Sequence, residues 1–173
     1  LRMLTRHEIV DDGIGGVPVA VTFCPLCNMA VVFDRRLGEQ VLEFGVSGFL
    51  RNSYMIMYDR QTESWWQQFV GNAIIHETAG SWLTMLPARL ESFAAFKAQA
   101  PQGQVLVPGP ATYVEYGRDP YVSYDSRSQP YGFYEGHLPD SVGARCRGWS
   151  AWAKRPGALI CCASGGVSRL AIW

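Results

Sequence analysis

Two apolar, β-branched runs, 17–23 and 30–33, flank the segment Cys24-Pro25-Leu26-Cys27-Asn28. The spacing is too short for a helix on either side and leaves room only for a tight reversal. The chain therefore has to place its only C-x-x-C between two strands. More runs of this kind follow. Leu1–Val10 leads into the turn cluster Asp11-Asp12-Gly13-Ile14-Gly15-Gly16. Val41–Val46, Ser53–Asp59 and Ser64–Val70 are strand-like, with Arg60-Gln61-Thr62-Glu63 as a hairpin-length loop between the last two. Strands this frequent with connections this short predict an antiparallel meander.

One helix is expected. Ser92 is a suitable N-cap, because its hydroxyl accepts a bond from an orphan N–H of the first turn. Leu90 and Phe96 are spaced as a hydrophobic staple. Pro101 ends the helix, which spans about 92–100. A short strand is expected at 104–107, and Pro, Gly and Tyr dominate from Gly109 onward. The fold class read from these elements is β-rich α+β, with a single domain over 1–140.

Charge divides the chain. The whole is neutral, with 15 basic and 15 acidic side chains. Residues 1–140 hold ten basic against 15 acidic, a net of −5, and residues 141–173 hold five basic and no acid. Neither the neutral whole nor the acidic first part offers a basic footprint, so nucleic acid is excluded as a partner. No apolar run reaches the roughly 18–20 residues of a membrane helix, which excludes a transmembrane span. The basic segment also carries Cys146, Cys161, Cys162, Trp149, Trp152 and Trp173. It shows neither helical period nor strand alternation. Residues 149–173 back-translate, with allowed codons, so that a shifted frame reads as a charge-balanced, Leu- and Glu-rich peptide. The expectation is a tail read out of frame, and its cysteines carry no functional weight.

Cys24 and Cys27 are the strongest chemical signal. Two sulfurs at this spacing converge on one metal ion or close a small disulfide ring. In thioredoxin-like sites a helix follows and its dipole lowers the thiol pKa. Here Asn28–Asp34 is strand-like, closer to the knuckles of zinc ribbons and rubredoxins. Zinc needs four ligands and no second C-x-x-C exists, so His7, His76, His137 and Met29 are the remaining candidates. If Val10 and Val17 bracket the hairpin, His7 falls opposite Ala20, roughly 13 Å from Cys24. Met29 adds a thioether, and two thiolates with a thioether suit Cu(I) better than Zn. The alternatives are a structural disulfide or a buried reduced pair acting as small apolar residues.

Other groups are weaker. Trp65 and Trp66 project to opposite faces of one strand, so one joins the core and the other faces a candidate ligand groove. Arg118, Asp119 and Tyr121 lie among six tyrosines between 113 and 134 and are further groove candidates. His76 is expected as an exposed strand residue. No Walker, G-x-S-x-G or H-E-x-x-H pattern occurs.

Together these segments resemble a known family. Arg6-His7-Glu8-Ile9-Val10-Asp11-Asp12, Gly15–Cys27 and Ala30–Arg35 succeed one another closely. Phe44-Gly45-Val46-Ser47-Gly48, Asn52-Ser53, Met57–Thr62, Trp66-Gln67-Gln68, Leu86–Arg89 and Tyr116–Tyr121 follow. The pattern is similar to the bacterial domain-of-unknown-function family 3179 over about residues 1–138. That resemblance implies an extracytoplasmic protein, carries no established reaction, and marks His7, Cys24 and Cys27 as positions of the pattern. Asn28 stands where a Gly or other small residue is usual.

Overall fold

The structure is a computed structural model that describes residues 3–107, 116, 120–121, 158–163 and 169–172, the last two segments as backbone. It is strand-rich and predominantly antiparallel, with two helices, in keeping with the β-rich α+β class expected. The first sheet has the order β1-β2-β3-β10, from Ile9–Ile14, Val17–Cys24, Met29–Asp34 and Met85–Leu86. The second, β6-β7-β8-β9, comprises Phe44–Arg51, Tyr54–Asp59, Trp65–Gln67 and Ala73–Ile75. A two-stranded ribbon of β4 (Arg36–Leu37) and β5 (Gln40–Val41) joins them.

The first sheet is covered on both faces, and the alternation along β2 shows how. Val19, Val21 and Phe23 join Leu4, Ile14 and Val32 on one side, where Leu86, Leu90 and Leu106 pack against them. Ala20 and Cys24 join Phe33 on the other side, facing Phe44, Met55, Met57, Trp66 and Ala73 of the second sheet. A strand buried on both faces reads as a continuous apolar run, which is why 17–23 lacks alternation.

The N-terminal segment departs from expectation. Leu4–His7 forms a helical turn, α1, which buries Leu4 completely. The strand starts only at Ile9 and continues through Asp11-Asp12-Gly13 to Ile14. Only Gly15 and Gly16 make the turn, both at positive φ (57° and 80°). A two-residue hairpin with both central φ positive matches the twist of its flanking strands, and Gly adopts it without steric cost. The ladder is therefore longer, pairing Ile14 with Val17 and Asp11 with Ala20.

Other boundaries shift less. The expected strand 41–46 splits, with Gln40–Val41 in the ribbon and Phe44 starting β6. The second sheet's first hairpin turns at Asn52 and Ser53, also both at positive φ (49° and 67°). Helix α2, Phe93–Gln99, starts where expected, with the Ser92 side chain accepting from the Ala95 N–H. The staple does not form. Phe96 packs with Ala100 and Val105, while Leu90 belongs to the core around Val21.

A third sheet has the order β11-β13-β14-β12, from Ala88–Ser92, Ala158–Ala163, Arg169–Ile172 and Gln104–Leu106. Its β12–β14 pairing is parallel. Two backbone segments of the basic tail thus pair with strands on either side of α2, which the tail's lack of alternation did not signal.

Candidate functional site

Cys24 ends β2 and Met29 begins β3, and the two are register partners across the loop Pro25-Leu26-Cys27-Asn28. Register partners project from the same face, so Met29 stands beside Cys24 on the face toward the second sheet. Asn28 closes the loop at φ 50°. Among residues with a side chain, Asn adopts this left-handed conformation most readily, which explains why Asn28 fits the turn. The Cys24 and Cys27 sulfurs lie at disulfide distance, with the Cα atoms 5.5 Å apart. That separation is the usual one for a bridged pair.

The two sulfurs differ in setting. Cys24 is 1% exposed and sits in the inter-sheet core, whereas Cys27 is partly exposed at its margin. Cys24 Sγ lies 3.9 Å from the carbonyl oxygen of Ser53, in the β6–β7 turn of the second sheet. A second contact comes from Gln68, which is fully buried just after β8. Its Nε2 donates to Thr22 Oγ1 at 2.9 Å and to the Met29 carbonyl at 3.4 Å. Thr22 Oγ1 in turn donates to the Val31 carbonyl at 2.7 Å. The second sheet therefore grips the C-x-x-C hairpin at three points, Cys24, Thr22 and Met29. Ser53 Oγ and Gln68 Oε1 are buried beside these contacts without a hydrogen-bond partner among the described residues.

His7 is placed differently from the expected arrangement. The Gly15-Gly16 turn lengthens the hairpin, so that Asp11 and not His7 pairs with Ala20, and His7 lies in α1, before β1 begins at Ile9, with no partner in the register. The ladder runs as far as Glu8, whose carbonyl accepts from the Phe23 N–H at 2.7 Å. The His7 ring is exposed, and Nε2 hydrogen-bonds Tyr116 Oη at 2.7 Å. Among the described residues no group of three or more His, Cys, Asp or Glu is arranged to hold a metal ion. His76 lies just past β9, exposed and at φ 71°, in a turn and not in a strand. His137, Arg118 and Asp119 lie outside the described residues.

The two adjacent indoles do separate. Trp66 is fully buried, and its Nε1 donates to Asp59 Oδ2 at 2.8 Å. Trp65 is partly exposed on the outer face and stacks on Phe49, ring centroids 4.8 Å apart. Tyr121 is partly buried.

A second polar cluster lies at the seam between the sheets. Asp11 Oδ2 accepts from the Phe44 N–H at 2.6 Å and lies 3.8 Å from Arg35 Nη1. Burial pushes the Asp11 carboxyl up to about 6, against the opposing pull of that hydrogen bond and of Arg35. Asp11 Oδ1 is buried with no hydrogen-bond partner among the described residues, which is the local expression of the same desolvation.

Sequence reasoning did not single out Gln68, Thr22, Ser53 or Asp11 as site residues. Ser53 and Gln68 lie in the segments Asn52-Ser53 and Trp66-Gln67-Gln68 quoted above, and these prove to supply polar contacts from the second sheet to the hairpin.

A family model matches residues 1–147, described as a protein of unknown function, DUF3179. The chain belongs to this family. The match runs beyond residue 138 and covers every residue of the C-x-x-C hairpin, both of its anchors and the Asp11 cluster. No curated protein and no solved structure matches the chain. Among the described residues of this DUF3179 domain, no helix is long and apolar enough to cross a membrane.

Proposed function

We propose that this domain is an extracytoplasmic thiol–disulfide module in which Cys24 and Cys27 cycle between dithiol and disulfide. The observation that carries the reading is the placement of both sulfurs at bonding distance in one hairpin, with one of them partly exposed. An exposed, locally closed disulfide is the kind that exchanges, and disulfides persist in oxidising compartments. The polar anchors Thr22, Ser53 and Gln68 support it further, since they hold the loop in place whichever redox state the sulfurs adopt.

A second reading is a soft-metal site for Cu(I), built from Cys24, Cys27 and the thioether of Met29. It is favoured by the Cys24–Met29 register pairing, and soft sulfur ligands select Cu(I). A module that binds ligand on its aromatic face without chemistry is the competing class, favoured by the Trp65–Phe49 stack.

Equilibration in a series of glutathione redox buffers, followed by alkylation and mass analysis of the Cys24–Cys27 peptide, tests the redox reading. A reversible two-electron transition within the range of cellular thiol couples supports it. A pair that stays oxidised under every buffer is a structural disulfide and defeats it. Cu(I) binding by the reduced protein, lost in C24S/C27S, supports the metal reading instead.

A further inference from the structure

We infer that Cys27 is the sulfur that exchanges with partners and that Cys24 is the resolving sulfur, held as a neutral thiol by the second sheet. This rests on the thiol–disulfide reading and assigns its two roles. The order is the reverse of the helical C-x-x-C site, where the first cysteine attacks.

Three observations carry it. The first is access. Cys24 is 1% exposed, while Cys27 lies at the core margin and is partly exposed. A partner's sulfur must approach in line with the attacking atom, and only Cys27 offers such a path. The second is electrostatic. Cys24 Sγ lies 3.9 Å from the Ser53 carbonyl oxygen, an acceptor within reach of the thiol once the pair is reduced. A carbonyl oxygen and an apolar surround of Phe33, Met55, Met57 and Trp66 both disfavour a thiolate. The third is local architecture. Cys24 is the last residue of β2 and is fixed by its ladder to Met29, whereas Cys27 lies within the four-residue loop. In a helical site the dipole acts on the first cysteine; here a strand precedes Cys24 and no helix follows it, so that advantage is missing.

The exchange is then ordered. Cys27, as thiolate, attacks one sulfur of a disulfide-bonded partner and forms a mixed disulfide. The partner's other sulfur leaves as a thiolate and takes up a proton. Cys24 gives up its proton, attacks Cys27 Sγ, and closes the 24–27 disulfide, releasing the partner's second sulfur as a thiol. Two electrons pass from the dithiol to the partner disulfide, which is the oxidant. The reverse sequence oxidises a partner dithiol.

The full chain, reduced and desalted, is treated with limiting N-ethylmaleimide, and the label is located by peptide mapping, with Cys146, Cys161 and Cys162 read separately. Label at Cys27 is expected to exceed label at Cys24 by at least about tenfold. In parallel, glutathione disulfide is expected to trap a stable mixed disulfide on C24A at Cys27 and none on C27A at Cys24. The labelling uses the unmutated chain, so misfolding of C24A leaves the test intact. Equal labelling, or preference for Cys24, overturns the assignment even if the pair cycles in glutathione buffers. A pair that does not cycle defeats the thiol–disulfide reading and the assignment with it.

Discussion

Gln68 Nε2 donates to Thr22 Oγ1 at 2.9 Å, a hydrogen bond between two fully buried side chains that joins the second sheet to the first. It lies one residue-pair from the C-x-x-C loop, because Thr22 and Cys24 share a face of β2. The bond is worth little against water but is costly to break, since each buried partner then loses its share of solvation. Gln68→Ala is expected to destabilise the fold by about 2–3 kcal/mol. Gln68→Leu combined with Thr22→Val removes both polar groups and is expected to cost less than the two single changes added together. Urea denaturation of the four proteins measures this, and strict additivity would show that the two side chains are not coupled.

Asp59 organises another buried polar group. Its carboxylate accepts from the Trp66 indole at 2.8 Å, and from the Thr62 backbone and hydroxyl at 2.6 and 2.9 Å. One residue thus closes the β7–β8 turn and satisfies the core indole. Asp59→Ala is expected to cost about 3 kcal/mol, among the larger single-site effects, because it orphans a buried N–H and opens the turn. Thermal unfolding of the variant gives the answer, with Asp59→Asn expected to recover part of the loss.

Asp11 predicts a pH dependence of unusual sign. Its carboxyl is raised to about 6, while the unfolded chain keeps the ordinary carboxylate value of 3.8. Between these two values the folded state binds more protons than the unfolded one, so this group's contribution to stability rises as pH falls. The penalty is fully present above pH 6 and gone below the unfolded value. Solvent screening limits it to about 1–2 kcal/mol. Asp11→Asn keeps an acceptor for the Phe44 N–H and removes the charge. It is expected to raise stability at about pH 8 and to leave it little changed at about pH 4. Chemical denaturation at both values checks this, and equal effects at both would contradict the burial argument.

Asn28 holds the loop at φ 50°. Asn28→Gly is expected to be tolerated within about 0.5 kcal/mol, and Asn28→Val to destabilise by about 1–2 kcal/mol, because a β-branched residue resists this conformation. The same strain opposes closure of the loop. Asn28→Val is therefore expected to make the Cys24–Cys27 disulfide easier to reduce, read as a shift in its midpoint in glutathione buffers.

The basic segment makes a prediction about coding. If residues 149–173 are read out of frame, the genomic codons translate in the shifted frame to the charge-balanced, Leu- and Glu-rich peptide. A stop codon within that frame refutes the idea directly.

Local patterns determined the strands, the C-x-x-C hairpin and the start of α2. Val17–Phe23 and Ala30–Phe33 are β-branched and short, Pro25 and Asn28 suit a reversal, and Ser92 offers an N-cap, so each follows from backbone preference within a few residues. The N-terminal turn was less legible, because Asp11-Asp12-Gly13 has turn composition. Tertiary contacts override it, since Asp11 gains the Phe44 N–H by staying in the strand. That choice moves the register by four residues, so that Ala20 faces Asp11, while His7 is left in α1 ahead of the strand. The partners of the hairpin were not legible either. Ser53 and Gln68 lie 29 and 46 residues from Cys24 and Thr22, and no local preference encodes which turn of one sheet meets which loop of another. The sequence alone determined that two cysteines share one hairpin between strands. Only the packing of one sheet on the other decided that Cys24 is buried and Cys27 reachable, because burial is a property of what lies across the gap.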